Sequence, residues 1–136
     1  MFLQNPLPAF LRLMTSSQGV VLASICLLPC LLNAQFTTAS NATGLTITSY
    51  TAGGANVVIP ATINGQAVTG IGGDAFRENL NITSVTIPNS VTSIGVQAFL
   101  FCSNLGSVTI GNSVESIGSA AFLGCTSLNN AVLQIA

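Results

Sequence analysis

Ile82-Thr-Ser-Val-Thr-Ile-Pro-Asn-Ser-Val-Thr-Ser-Ile-Gly-Val-Gln-Ala-Phe-Leu-Phe-Cys-Ser-Asn104 is followed at once by Leu105-Gly-Ser-Val-Thr-Ile-Gly-Asn-Ser-Val-Glu-Ser-Ile-Gly-Ser-Ala-Ala-Phe-Leu-Gly-Cys-Thr-Ser127. The two stretches are each 23 residues long and agree at 14 positions. Phe76, Phe99 and Phe122 keep the same spacing, as do Ile71, Ile94 and Ile117. A fixed period in the twenties marks a solenoid, in which each turn buries its apolar face only against its neighbours.

Within the unit, Ile82, Val85 and Ile87 (then Leu105, Val108 and Ile110) follow an L-x-x-L-x-L spacing. Val85 and Ile87 share one face of a short strand while Ser84 and Thr86 face out, because side chains alternate along a strand. Pro88 or Gly111 ends the strand, Asn89-Ser90 or Asn112-Ser113 turns the chain, and Gly95 and Gly118 allow a bend. Val91, Ile94, Ala98, Phe99 and Cys102 complete the inward set. Stacked turns then place Phe on Phe, each buried ring contributing about 1.5–3 kcal/mol. Strands are expected at 45–50, 56–59, 83–87 and 106–110, the last pair parallel and in register.

Upstream, Val57 and Ile59 match Val85 and Ile87, so the first unit begins there. It carries extra residues around Ile63-Asn-Gly-Gln-Ala67, whose Asn-Gly predicts a tight surface turn. Leu45–Tyr50 and Asn56–Ile59 flank a Gly-Gly loop and read as a hairpin, a sensible N-terminal cap for an open solenoid end. Residues 35–43 are small and polar and read as a flexible leader. Residues 44–136 form the solenoid of about three 23-residue rungs, which stops without a polar cap; Leu128, Leu133 and Ile135 are expected to leave an apolar end. That end reads as a truncated array or a surface for end-to-end self-association.

The first 34 residues lie outside the repeat. Arg12 precedes an apolar run, Gly19 to Leu32, and Ala34 offers a small residue before Gln35, the order of a secretory signal peptide cleaved after Ala34. A membrane anchor would need about 20 apolar residues, and this run of roughly 14 contains Pro29. Lipidation at Cys26 or Cys30 is rejected, since Ile25 and Pro29 precede them where a small residue belongs.

The chain has two basic and three acidic residues and no His. So little positive charge excludes a nucleic-acid partner, which needs clustered Lys and Arg. Cys102 and Cys125 occupy equivalent repeat positions; in-register parallel strands hold their Cβ atoms slightly too far apart for a disulfide, so buried free thiols are expected. Two thiols without His make no metal site, and no cofactor is expected. No hydroxyl has a His or Lys base to activate it, so no enzymatic activity is expected. Asp74, Arg77 and Glu78 read as a solvated ion-pair cluster, with Glu115 expected far from Asp74. Asn41-Ala-Thr and Asn81-Ile-Thr are glycosylation sequons that matter only in a eukaryotic secretory route.

With those residues in view, the repeat resembles the leucine-rich repeat of bacterial surface proteins of the BspA-like (Treponema pallidum) type. Its pattern, L-x-x-V-T-I-P-x-S-V-T-x-I-G-x-x-A-F-x-x-C-x-x-L, matches Ile82 through Leu105 and Leu105 through Leu128, and partly Ile59 through Ile82. Asn79 stands where the pattern has Cys, Gly111 where it has Pro, and the array is short for the family. The resemblance implies a β-rich solenoid, secretion or surface display, and protein binding, adhesin-like, rather than catalysis. The expected partner is an extracellular or surface protein, with no membrane association after signal cleavage. The candidate protein-binding surface is Ser84, Thr86, Ser107 and Thr109 on the outward strand face, together with Arg77 and Glu78. Tyr50, Gln66, Arg77, Glu78 and Phe101 are the side chains outside the repeat pattern whose clustering on one side would favour binding. The alternative is a passive spacer or a repeat fragment without activity of its own.

Overall fold

Each Val-Thr-Ile run forms a strand and each Ser-Ile a second, shorter one, so every turn of the chain contributes to two sheets. The computed structural model describes residues 34–134 and contains no helix there. Among the described residues ten strands are present: β1 Phe36–Ser40, β2 Leu45–Tyr50, β3 Asn56–Val58, β4 Thr62–Ile63, β5 Gln66–Ile71, β6 Ser84–Ile87, β7 Ser93–Ile94, β8 Ser107–Ile110, β9 Ser116–Ile117 and β10 Asn130–Leu133. One sheet runs β1-β2-β5-β7-β9, with β4 paired to β5; the other runs β10-β8-β6-β3. The result is a β-solenoid of about four turns, since β10 opens one more rung than the full 23-residue units supply. All ten strands belong to the second of two units of the chain, Gln35–Ala136. The expected signal peptide lies outside the described residues, as does Ile135.

Register follows the repeat without slippage. Ser84, Val85, Thr86 and Ile87 pair in parallel with Ser107, Val108, Thr109 and Ile110, and Ile71, Ile94 and Ile117 form a ladder in the other sheet. Inside, ring centroids of Phe76 and Phe99 lie 4.7 Å apart and those of Phe99 and Phe122 5.1 Å apart, the latter pair tilted by only 3°. Stacked backbones repeat every 4.7–4.9 Å or so, so the rings meet at contact distance simply by obeying the ladder.

Two expectations about the N-terminus need correction. Leu45–Tyr50 and Asn56–Ile59 do not pair with each other: β2 sits in one sheet and β3 in the other, where Val57 faces Val85. The Gly-Gly loop turns the solenoid corner instead, because Leu45 and Ile47 must point into the core from one wall and Val57 and Ile59 from the opposite one. Nor is 35–43 a flexible leader. Residues 36–40 form β1, antiparallel to β2 from Phe36↔Tyr50 to Ser40↔Leu45, and this is the hairpin that caps the end. Its turn is locked by Asn41, whose side-chain oxygen accepts from the Thr43 and Gly44 amides (both 2.8 Å) and whose side-chain amide donates to Thr46 Oγ1 (2.7 Å) and Thr69 Oγ1 (3.1 Å). Phe36 and Tyr50, buried, extend the aromatic column with centroids 5.3 Å apart. The extra segment of the first turn is the β4–β5 hairpin, closed by Asn64 and Gly65 at φ 51° and 78° as its Asn-Gly predicts.

The glycines at the bend earn their place by crowding rather than by handedness. A Cβ on Gly95 would lie 2.6 Å from the Gly72 carbonyl carbon, and one on Gly118 2.6 Å from that of Gly95. The left-handed positions fall elsewhere, on Asp74, Gln97 and Ala120 and on Glu78 and Phe101, with φ between 55° and 59°. Such a residue costs about 1–2 kcal/mol when it is not Gly. Ladder bonds hold it there: the Gln97 amide donates to Ser119 O (3.0 Å) and the Phe101 amide to Leu123 O (2.8 Å).

Phe99 has no exposed surface, whereas Phe122 is only partly covered. Phe99→Ala is therefore expected to cost about 3–5 kcal/mol in urea denaturation and Phe122→Ala clearly less. Gly118→Ala should lower stability by about 1–3 kcal/mol, while Gly53→Ala, with open space around its Cβ, should leave it nearly unchanged.

Candidate functional site

The outward face of the β3-β6-β8-β10 sheet is built by the same alternation that builds the core. Pairing sets Asn56, Ser84, Ser107 and Asn130 in one row and Val58, Thr86, Thr109 and Val132 in the next. Strand spacing makes this a regular array of short side chains about 4.8 Å apart between rungs. It bears no charge. The Ser84 hydroxyl donates to Asn56 Oδ1 at 2.8 Å, so part of its hydrogen-bonding capacity is spent within the face.

Arg77 and Glu78 are elsewhere in the rung, in the turn that follows β5 and carries Asp74 and Phe76. The Arg77 guanidinium donates from Nε to Glu78 Oε1 (3.2 Å) and from Nη1 to Asp74 Oδ1 (3.3 Å). Glu78 first and Asp74 second hold the guanidinium still more firmly in its charged form. All three are exposed, so these pairs contribute little to stability. The six candidate residues thus form two groups, a strand face and a turn. Glu115 follows the Thr92 corner, its amide donating to Thr92 O at 2.8 Å, whereas the Asp74 amide donates to Val96 O.

Of the side chains outside the repeat pattern, Tyr50 is buried in the aromatic column and offers little surface. Gln66 lies on the β4–β5 hairpin. Phe101 does join Arg77 and Glu78: the Glu78 amide donates to Leu100 O at 2.7 Å, which sets Glu78 directly beside Phe101 on the stack. Leu123 belongs to the same edge and was missed from sequence, because its repeat equivalent Leu100 is buried by the next turn while Leu123 is left uncovered. Phe101 is 49% and Leu123 59% exposed.

Cys102 and Cys125 are free and buried. The Cys102 thiol donates to Phe76 O at 2.9 Å and the Cys125 thiol to Phe99 O at 3.1 Å, so each satisfies a carbonyl of the preceding turn. Burial pushes the Cys102 thiol from 9.0 up to about 11 and raises Cys125 as well. Among the described residues no group of three or more His, Cys, Asp or Glu side chains is placed to hold a metal ion.

Because folding raises the thiol pKa, the unfolded chain loses its proton first as pH rises. Stability is then complete below about pH 9 and falls as pH rises through about 11. Iodoacetamide at pH 8 should leave Cys102 and Cys125 unmodified in native protein, and modify both in denaturant, as read by peptide mass spectrometry.

The family model described as "BspA type Leucine rich repeat region (6 copies)" matches residues 55–135. Among solved structures, the Treponema pallidum leucine-rich repeat protein is similar at 31% identity and TM-score 0.71, over 73% of this chain and 47% of that one. A leucine-rich cell surface protein from Faecalibacterium prausnitzii is similar at 35% identity and TM-score 0.65, over 71% of this chain and 28% of that one. A leucine-rich repeat protein from Bacteroides ovatus reaches 28% identity and TM-score 0.63, over 71% and 27%. This chain thus spans less than half the length of these relatives. No curated protein matches it at a significant level.

Proposed function

The chain belongs to the BspA-type leucine-rich-repeat family, and from that premise we propose that it is a secreted or cell-surface protein-interaction module, adhesin-like in holding a partner without transforming it. The observation that carries this reading is the family match over a solenoid whose outward surfaces are regular and uncrowded. One similar protein is described as a cell surface protein, which supports display outside the cell. Residues 1–34 act as the signal peptide in this reading, and N-terminal sequencing of exported protein should begin at Gln35. No step of catalysis is assigned. The one basic group among the described residues, Arg77, is engaged by Asp74 and Glu78, and both described thiols are buried.

A specific observation favours the runner-up, a passive spacer. The strand face that includes Ser84, Thr86, Ser107 and Thr109 has no aromatic or Arg side chain of the kind that dominates binding energy. The two readings separate in a retention assay with immobilised 35–136 against extracellular-matrix and envelope proteins. Retention of a defined protein above a control with scrambled surface residues is the expected result; equal retention by both would leave the spacer.

Self-association through the C-terminal rung is part of the same proposal. Ile117, equivalent to the buried Ile71 and Ile94, is 52% exposed, and Leu133 is 57% exposed. Covering them would give two copies a shared apolar contact. Light scattering should show a mass that grows with concentration; a strict monomer at high concentration would remove this element.

A further inference from the structure

We propose that the turn edge around Phe101 and Leu123, flanked by Asp74, Arg77 and Glu78, is the anchoring surface for a polypeptide partner that presents an apolar or aromatic side chain beside a basic one. The proposal rests on the protein-interaction reading above and names its site and partner chemistry.

Phe101 sits at a left-handed position, φ 58°, whose equivalents in the neighbouring turns are Glu78 and Gly124. Glycine fits such a position without strain, and a large aromatic there is usually repaid by burial. Here half of the ring stays in water. The ring lies over Gly124, where any Cβ would collide with ring atoms, and its backbone is bonded to Leu123 O at 2.8 Å. A half-exposed aromatic ring on ladder-bonded backbone has only a short, stiff side chain to immobilise, so it forfeits little freedom on binding, and this is the property of an anchor. Leu123 continues the apolar surface.

Charge decides what fits beside it. The chain has two basic and three acidic residues, and Asp74, Arg77 and Glu78 fall in this one turn. Arg77 is engaged by both carboxylates, which leaves the cluster one negative charge in excess with both acids more than half exposed. A cation on the partner completes the set, whereas an acidic partner meets repulsion.

The test is selection of random dodecapeptides displayed on phage against the full chain, followed by titration of synthetic winners. The expected result is enrichment of peptides pairing an aromatic or aliphatic residue with Lys or Arg. Their affinity should fall at least tenfold with Phe101→Ser and severalfold with Glu78→Gln, and weaken with salt. Unchanged thermal unfolding of each variant verifies folding, and Leu123→Ser provides a second probe of the same surface. Winners insensitive to Phe101 and Leu123 but lost with Thr109→Lys would overturn this site while keeping the interaction module. Enrichment of acidic peptides would overturn the charge argument. Absence of any enrichment would overturn both the site and the module.

Discussion

Five aromatic rings, Phe36, Tyr50, Phe76, Phe99 and Phe122, run as one column through the described solenoid, with centroids 4.7 to 5.3 Å apart. Their spacing is that of hydrogen-bonded strands, so ring contact and backbone pairing are satisfied by a single geometry. Any slip of one rung by a residue would turn its Val and Ile outward and take its Phe out of the column at once. The column therefore fixes register for both sheets. It also supplies the rigidity that keeps non-glycine residues in left-handed turns, where isolated chains would rarely hold them.

The same regularity leaves the ends unlike one another. At the N-terminal end the chain doubles back, and β1 covers the exposed edge of β2 with a strand whose outward residues are Thr, Ala and Ser. Asn41 ties this cap to Thr69 of the first turn, so the cap is attached by side-chain bonds as well as by the ladder. At the last described rung Ile117 and Leu133, whose equivalents are covered in preceding turns, meet solvent. Stacking is what buries these positions, and each rung depends on its neighbour for it.

The proposed binding edge lies where Arg77, Glu78 and Phe101 depart from the repeat, since most repeat positions are already committed to packing. The strand face carries short polar and β-branched residues set by β-propensity and solvation. The turn edge differs: three charged residues and two exposed apolar ones lie there, on backbone held by ladder bonds. The buried thiols, by contrast, serve the fold. They fill core volume and satisfy Phe76 O and Phe99 O.

The sequence by itself determined the period, the inward set, the pairing of 84–87 with 107–110 and the Asn-Gly hairpin. These are all consequences of repetition, since equivalent residues in a stacked array must meet one another. Tertiary structure alone decided the N-terminal cap, the burial of Tyr50 and the company that Phe101 keeps. Alternation shows that 45–50 is a strand but not which of several strands it joins, and β2 found partners both before it and well after it. Tyr50 reaches Phe76 across 26 residues rather than 23, because the first turn carries an insertion and the corner after Tyr50 is shorter than its equivalents, and a period read from sequence loses it there. Phe101 stood out in the sequence as a departure from the repeat, whereas Leu123 looked like an ordinary repeat residue. Stacking decides their exposure: Leu100, the equivalent of Leu123, is buried between neighbouring turns while Leu123 is open to water, and Phe101 stays half exposed because Gly124 stands beside it.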